Sequence, residues 1–130
     1  STSNLMDERK DIEEYIEELD RFIKSSEENK GLSEKEVMEG YQKFKTEKFS
    51  KELISISQRY GIEPESLKTF VNGIMERMIF DGEKLIDLLE PLNLSWRERT
   101  EKELQLMEDL IPVLKKMADG REIVGLKAYE

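Results

Sequence analysis

Histidine and cysteine are both absent from the 130 residues, and together these absences remove most of the chemistry a small protein can carry. Zinc sites of the usual kinds need one or the other, as do Ser-His and Cys-His nucleophiles. A glutamate-rich helical bundle could suggest a carboxylate-bridged di-iron site, but that site takes a Glu-x-x-His pair from each of two helices. No G-x-x-x-x-G-K-[ST] or G-x-G-x-x-G phosphate loop occurs. No run of about 18 apolar residues is present to span a membrane. The opening "STSNLMDERK" has no basic segment followed by an apolar one, so no secretory signal is read there. Without cysteine the chain has no disulfides, and a cytoplasmic location is the default expectation. An enzyme built from carboxylates and lysines alone ranks last among the functional readings, because no acid pair stands out from the charged background.

Charge is what the chain has in abundance. Charged residues make up 39% and the formal net charge is -9. The excess is local: residues 1–40 hold 13 acids against 6 bases, while residues 41–130 hold 17 against 15. A length of 130 residues suits one domain with a real core.

Helical periodicity organises the sequence. Ile12, Tyr15, Ile16, Leu19, Phe22 and Ile23 follow the spacing of one apolar helix face. "SSEENKGLS" (25–33) reads as a loop, and Ser33 with Glu36 forms a capping box that opens the next helix. In "YQKFKTEKFSK" (41–51) four lysines interleave with three aromatics. Val37, Tyr41 and Phe44 centre on one face, whereas Phe49, Leu53, Ile56 and Tyr60 centre on another, displaced by roughly a third of a turn. A break is therefore predicted near Thr46–Ser50, with Ser50 or Thr46 as a cap. "LISIS" (53–57) could form a short strand, but Gly61 looks like a helix stop and favours helix.

Further on, Pro64 suits a first helical turn, and Leu67, Phe70, Val71, Ile74, Met75 and Met78 form a dense stripe. Asp81-Gly82 interrupts, and "EKLIDLLEP" is a short helix ended by Pro91. Ser95 with Glu98 caps a helix faced by Leu104, Met107, Leu110, Ile111, Leu114 and Met117, with a kink expected at Pro112 and an end at Gly120. The expected fold is all-α: a single domain of five or six helices around one core. Residues 1–32 would be an acidic helix and loop, 33–120 the helical core and 121–130 a non-helical, irregular tail.

Over "FVNGIMERMIFDGEKLIDLLEPLNLSWRERTEKELQLMEDLIPVLKKMADGREIVGLKAYE" the chain resembles the extreme C-terminus of the R (motor) subunit of type I restriction–modification enzymes, nearest to the type IC branch. The most specific pieces are "SWRERTEKELQLMEDLIPVLKK" and "GREIVGLKAYE", the second resembling the end of that polypeptide. The resemblance is most specific over residues 64–130. It implies an ATP-dependent DNA translocase and endonuclease as the parent subunit, with ATP and Mg2+ as its cofactors. It implies the methyltransferase (M) and specificity (S) subunits and DNA as partners. The family's nuclease and helicase motifs lie upstream and none is present here, so no catalytic residue, cofactor or metal site is carried over. The expected role is docking on the methyltransferase core and nonspecific DNA binding. An independent helical adaptor that never meets DNA is the alternative. Because the chain begins at Ser1 and not at a methionine, it is expected to be a fragment of a larger polypeptide.

Two basic groups are candidates for phosphate contact, which needs only positive charge within reach. The first is Lys43, Lys45, Lys48 and Lys51; a solvated face with its aromatics in the core is the plainer reading. The second is Arg97, Arg99 and Lys102, among glutamates that allow ordinary intrahelical pairing. Cations at a helix start oppose the macrodipole, which favours a functional reason for them. Candidates for partner docking are Trp96, whose place at a helix start also suits a core role, and Ile123, Val124, Leu126 and Tyr129. These tail residues either pack back on the domain or meet a partner.

Overall fold

The computed structural model describes residues 33–129, together with Glu17, Arg21 and Lys24. The chain divides into two compact units, residues 1–41 and 42–130. In the first unit, Glu17, Arg21 and Lys24 are helical and exposed. The rest of the expected stripe from Ile12 to Ile23, and the expected loop before Ser33, lie outside the described residues. Ser33 behaves as the sequence predicts: its hydroxyl accepts from the Glu36 amide at 3.2 Å and donates to the Glu36 carboxylate at 3.2 Å. The helix it opens, α1, runs Glu34–Lys48.

The fold is all-α, with five helices among the described residues. After α1 come α2 (Ser50–Tyr60), α3 (Pro64–Arg77), α4 (Gly82–Leu89) and α5 (Trp96–Met117), with 3-10 turns at Glu90–Leu92 and Leu126–Tyr129. The predicted break falls on one residue. Phe49 takes φ -97° and ψ 18°, which puts ψ about 60° from its helical value. The cap differs from expectation. Phe49 itself is the N-cap of α2, without a side-chain hydrogen bond, while the Thr46 hydroxyl donates to the Gln42 carbonyl at 3.0 Å. Hydrogen bonds continue around the bend, from Phe49 N to Lys45 O and from Leu53 N to Phe49 O, so few amides are left for a side chain to satisfy.

"LISIS" is helix. Gly61 ends it in the left-handed conformation, φ 69°, and Ile62 N donates to Ser57 O at 2.9 Å, which closes a Schellman turn. Pro64 occupies the first turn of α3. Asp81 caps α4 by accepting from the Glu83 and Lys84 amides at 3.1 and 3.3 Å, and Ser95 caps α5 through the Glu98 amide at 3.3 Å. Helix α5 continues across Pro112. It stops at Met117, three residues before Gly120, and Asp119 already has a left-handed φ of 53°.

In the second unit α2, α3 and α4 all pack together around α5. The buried apolar side chains form one cluster from Leu53 to Leu126. The α3 stripe is as predicted, with Leu67, Val71 and Met75 at 0% exposure. The inward face of α5 is shifted. Leu106, Met107, Leu110, Val113, Leu114 and Met117 are buried, whereas Leu104 is 58% exposed and Ile111 half-buried. The tail is part of the core: Ile123 and Leu126 are buried, and Tyr129 packs edge-on to Phe80 at 4.8 Å. Val124 is held by a parallel bridge to Ile79. Its amide donates to Met78 O, and its carbonyl accepts from Phe80 N, both at 2.9 Å.

Candidate functional site

The first basic group does not act as one set. Lys45 is 0% exposed; its ammonium donates to Asp119 Oδ2 at 2.7 Å and to the Met117 carbonyl at 3.0 Å. An amine so enclosed cannot reach a phosphate, so the structure removes Lys45 from the candidates. Its stem runs along a face that the apolar pattern does not reveal. Gln42, Lys45 and Thr46 are the buried residues of α1, while Tyr41 and Phe44 are only half-buried. Such a face is stable when its polar ends find partners. Thr46 also lies 3.3 Å from Asn72 Oδ1, whereas Gln42 Oε1 has no hydrogen-bond partner. The signal is present in the spacing, since 42, 45, 46 and 49 repeat at three and four residues as a core stripe does.

Lys43, Lys48 and Lys51 are exposed. Lys51 lines a groove of about 480 Å³ together with Arg59, Glu52, Glu108 and Asp109, so its surroundings are mixed in sign. At that groove two neighbours converge on one carboxylate oxygen: Arg59 Nη1 lies 2.9 Å and the Tyr60 hydroxyl 2.5 Å from Asp109 Oδ2. Burial, and then the hydrogen bond to Asp109, push the Tyr60 phenol up to about 12. Tyr60 is thereby held protonated, as a donor.

On α5, Arg97 is exposed, while Arg99 and Lys102 are half-buried. Arg99 Nε is buried without a hydrogen-bond partner among the described residues. These cations therefore differ in reach, with Arg97 the most available of the three.

The docking candidates separate in the same way. Ile123 and Leu126 belong to the core and are corrected out of the set, because burying them closes the base of α5. Tyr129 is half-buried, and its phenol is raised by burial and then by the charge of Glu103. Val124 is 67% exposed and Trp96 is 74% exposed. Trp96 therefore has neither a core nor a staple role. An indole this open at the first turn of a helix is an interface type of residue on the surface.

Among the described residues no helix is long and apolar enough to cross a membrane, and no group of three or more acidic side chains could hold a metal ion. With the geometry of caps, core and surface in place, a family model supplies the relationship. The model for the C-terminal region of subunit R of type I restriction and modification enzymes matches residues 1–117. The chain belongs to that family. No curated protein and no solved structure matches it. The R-subunit match takes in residues 1–63, where the resemblance is least specific, and stops before the tail "GREIVGLKAYE". Ala118, Ile123 and Leu126, beyond the matched segment, nevertheless complete the core of this R-subunit domain.

Proposed function

We propose that this domain of the R subunit is a non-catalytic docking element, which helps to hold the motor subunit on the methyltransferase core and adds nonspecific phosphate contacts to DNA. The observation that carries the docking part is the exposed Trp96 at the first turn of α5, 74% accessible in a domain whose other large apolar groups are mostly buried. Open aromatic anchors of this kind concentrate binding energy when a partner covers them. Lys43, Lys48, Lys51 and Arg97 are exposed and support the DNA part; they would act through charge alone. The absence of histidine and cysteine from the chain agrees with a non-catalytic role.

The experiment removes the domain from the intact R subunit and measures two quantities: complex formation with the methyltransferase core, and retention of DNA by the complex. Weaker assembly is the expected result, with Trp96→Ala giving part of the same loss. Unchanged assembly and unchanged DNA retention together would overturn the proposal. Normal assembly by a partner other than the methylase, with no loss of DNA retention, would favour the independent adaptor.

A further inference from the structure

Gly73 stands in the middle of α3, where a glycine weakens a helix relative to alanine by maximising the freedom lost on folding. The fold itself does not require it. Its φ is not positive, and a Cβ placed there would meet only the tip of Arg77, at an ordinary 3.5 Å. What lies over it is a groove of about 530 Å³ between α3 and α4. Ile62, Phe70, Leu88 and Leu92 line it with apolar surface. Leu88 and Leu92 stay half-buried although both pack against the core.

The two ends of the groove differ in charge. Glu63 lies at the end where α3 begins, and Arg77 and Lys84 lie where α3 ends and α4 begins. Asp87 stands one turn further along α4, towards Leu92. Both cations are exposed, and no ion pair engages either of them among the described residues. From Ser66 to Arg77 the α3 wall is about 16 Å long, enough for about three turns of a helix. An apolar trough of that length, open at a glycine and closed by paired cations, has the form of a helix-in-groove site.

We infer that the α3–α4 groove receives an amphipathic helix of the methyltransferase core, seated over Gly73 with a carboxylate at its end against Arg77 and Lys84. This rests on the docking reading above and names the surface that carries it. The glycine lets the incoming backbone approach, the leucines and Phe70 supply the buried area, and the two cations set the direction in which the helix lies. Charge complementarity selects this occupant. A basic helix end would oppose Arg77 and Lys84, and nucleic acid finds no use for an apolar floor.

The test uses the intact R subunit and the assembled methyltransferase core. Gly73→Met fills the groove from an exposed helical position, and Gly73→Ala adds only the tolerated Cβ. The expected result is a loss of affinity of about tenfold or more for Gly73→Met, with Gly73→Ala close to wild type. Arg77→Gln with Lys84→Gln should weaken assembly and reduce its dependence on salt. Circular dichroism and thermal melting of each variant confirm that the domain remains folded. If deleting the whole domain abolishes assembly but Gly73→Met leaves it intact, the groove inference fails and the docking reading stands. If deleting the domain leaves assembly intact, both fail. If Gly73→Ala weakens assembly as much as Gly73→Met, a specific groove is excluded as well.

Discussion

Lys45 Nζ sits 2.7 Å from Asp119 Oδ2 and 3.0 Å from the Met117 carbonyl, so an amine of α1 closes the C-terminal end of α5. That end carries unfilled carbonyls and the negative pole of the helix, and a cation is favoured there. The two partners are unequally buried: the Lys45 side chain is 0% exposed and that of Asp119 40%.

The inequality predicts an order of effects. Asp119→Ala deprives an enclosed ammonium of its nearest carboxylate and should cost about 2–4 kcal/mol. Lys45→Met keeps the apolar stem and leaves a carboxylate that water can reach, so it should cost about 1–2 kcal/mol. Adding Lys45→Met to Asp119→Ala should restore stability relative to Asp119→Ala alone. Urea denaturation of the three variants decides this, and additive losses would contradict the pairing.

Tyr60 makes stability fall at alkaline pH. Its phenol is raised in the folded state to about 12, from a usual value of 10. Above pH 10 the unfolded chain gives up the proton while the folded chain retains it, so this contribution is intact below pH 10 and is lost as pH rises towards 12. Tyr60→Phe should therefore show a shallower decline across that window, measured by denaturant midpoints at stepped pH. Equal slopes would mean that the hydroxyl is not held as described.

The helix starts give a third, graded expectation. Asp81→Ala and Ser95→Ala each remove a side-chain cap and should cost about 1 kcal/mol. In a domain of this size that corresponds to a fall of about 4–8 °C in melting temperature. Ser50→Ala should change stability by less than about 0.5 kcal/mol, because Phe49 caps α2 without its side chain. A Ser50 effect as large as that of Ser95 would show that the hydroxyl matters at the break after all.

Helix existence and ends are legible in the sequence because they are written locally. Gly61, Pro64, Asp81 and Ser95 each satisfy or remove specific backbone groups, and the structure uses all four at the places predicted. The choice between nearby faces is less legible. Leu104 and Leu106 are two residues apart and equally apolar, and only the position of the neighbouring helices decides that Leu106 is buried. Lys45 misleads because residue type outweighs spacing: its partner Asp119 is 74 residues away. The basic stretch is a joint between two helices, as its two displaced apolar faces predict. Arg77, Lys84 and Gly73 do not stand out as a set in the sequence, since α3 and α4 meet only in the fold.

Phosphate contact, where it occurs, should divide by exposure. Replacing Lys43, Lys48 and Lys51 by Gln in the intact R subunit should weaken DNA binding and lower the salt slope by about 0.9 for each phosphate no longer neutralised. Arg97→Gln should act in the same direction, and more strongly than Arg99→Gln or Lys102→Gln. Binding isotherms over a salt series provide the measurement. An unchanged slope for all of these would confine DNA to other parts of the subunit.

Cutting the chain after Met117, where the family match ends, should unfold the second unit or leave it several kcal/mol less stable. The cut removes Ile123 and Leu126, each worth about 1.5–3 kcal/mol in burial, and takes Asp119 away from Lys45. Comparing chains 1–117 and 1–130 by thermal melting tests this. A fully cooperative and equally stable shorter chain would show that the tail merely rests on the surface.

The single-residue break at Phe49 also governs how this gene region can change in length. Lys45 and Leu53, on either side of it, are both fully buried. One residue inserted between them would rotate everything downstream by about 100° and advance it by about 1.5 Å. Either the amine would then miss the end of α5 or the leucine would leave the core. Substitutions can be absorbed at this joint, but its residue count cannot drift, so length differences among family members should accumulate elsewhere.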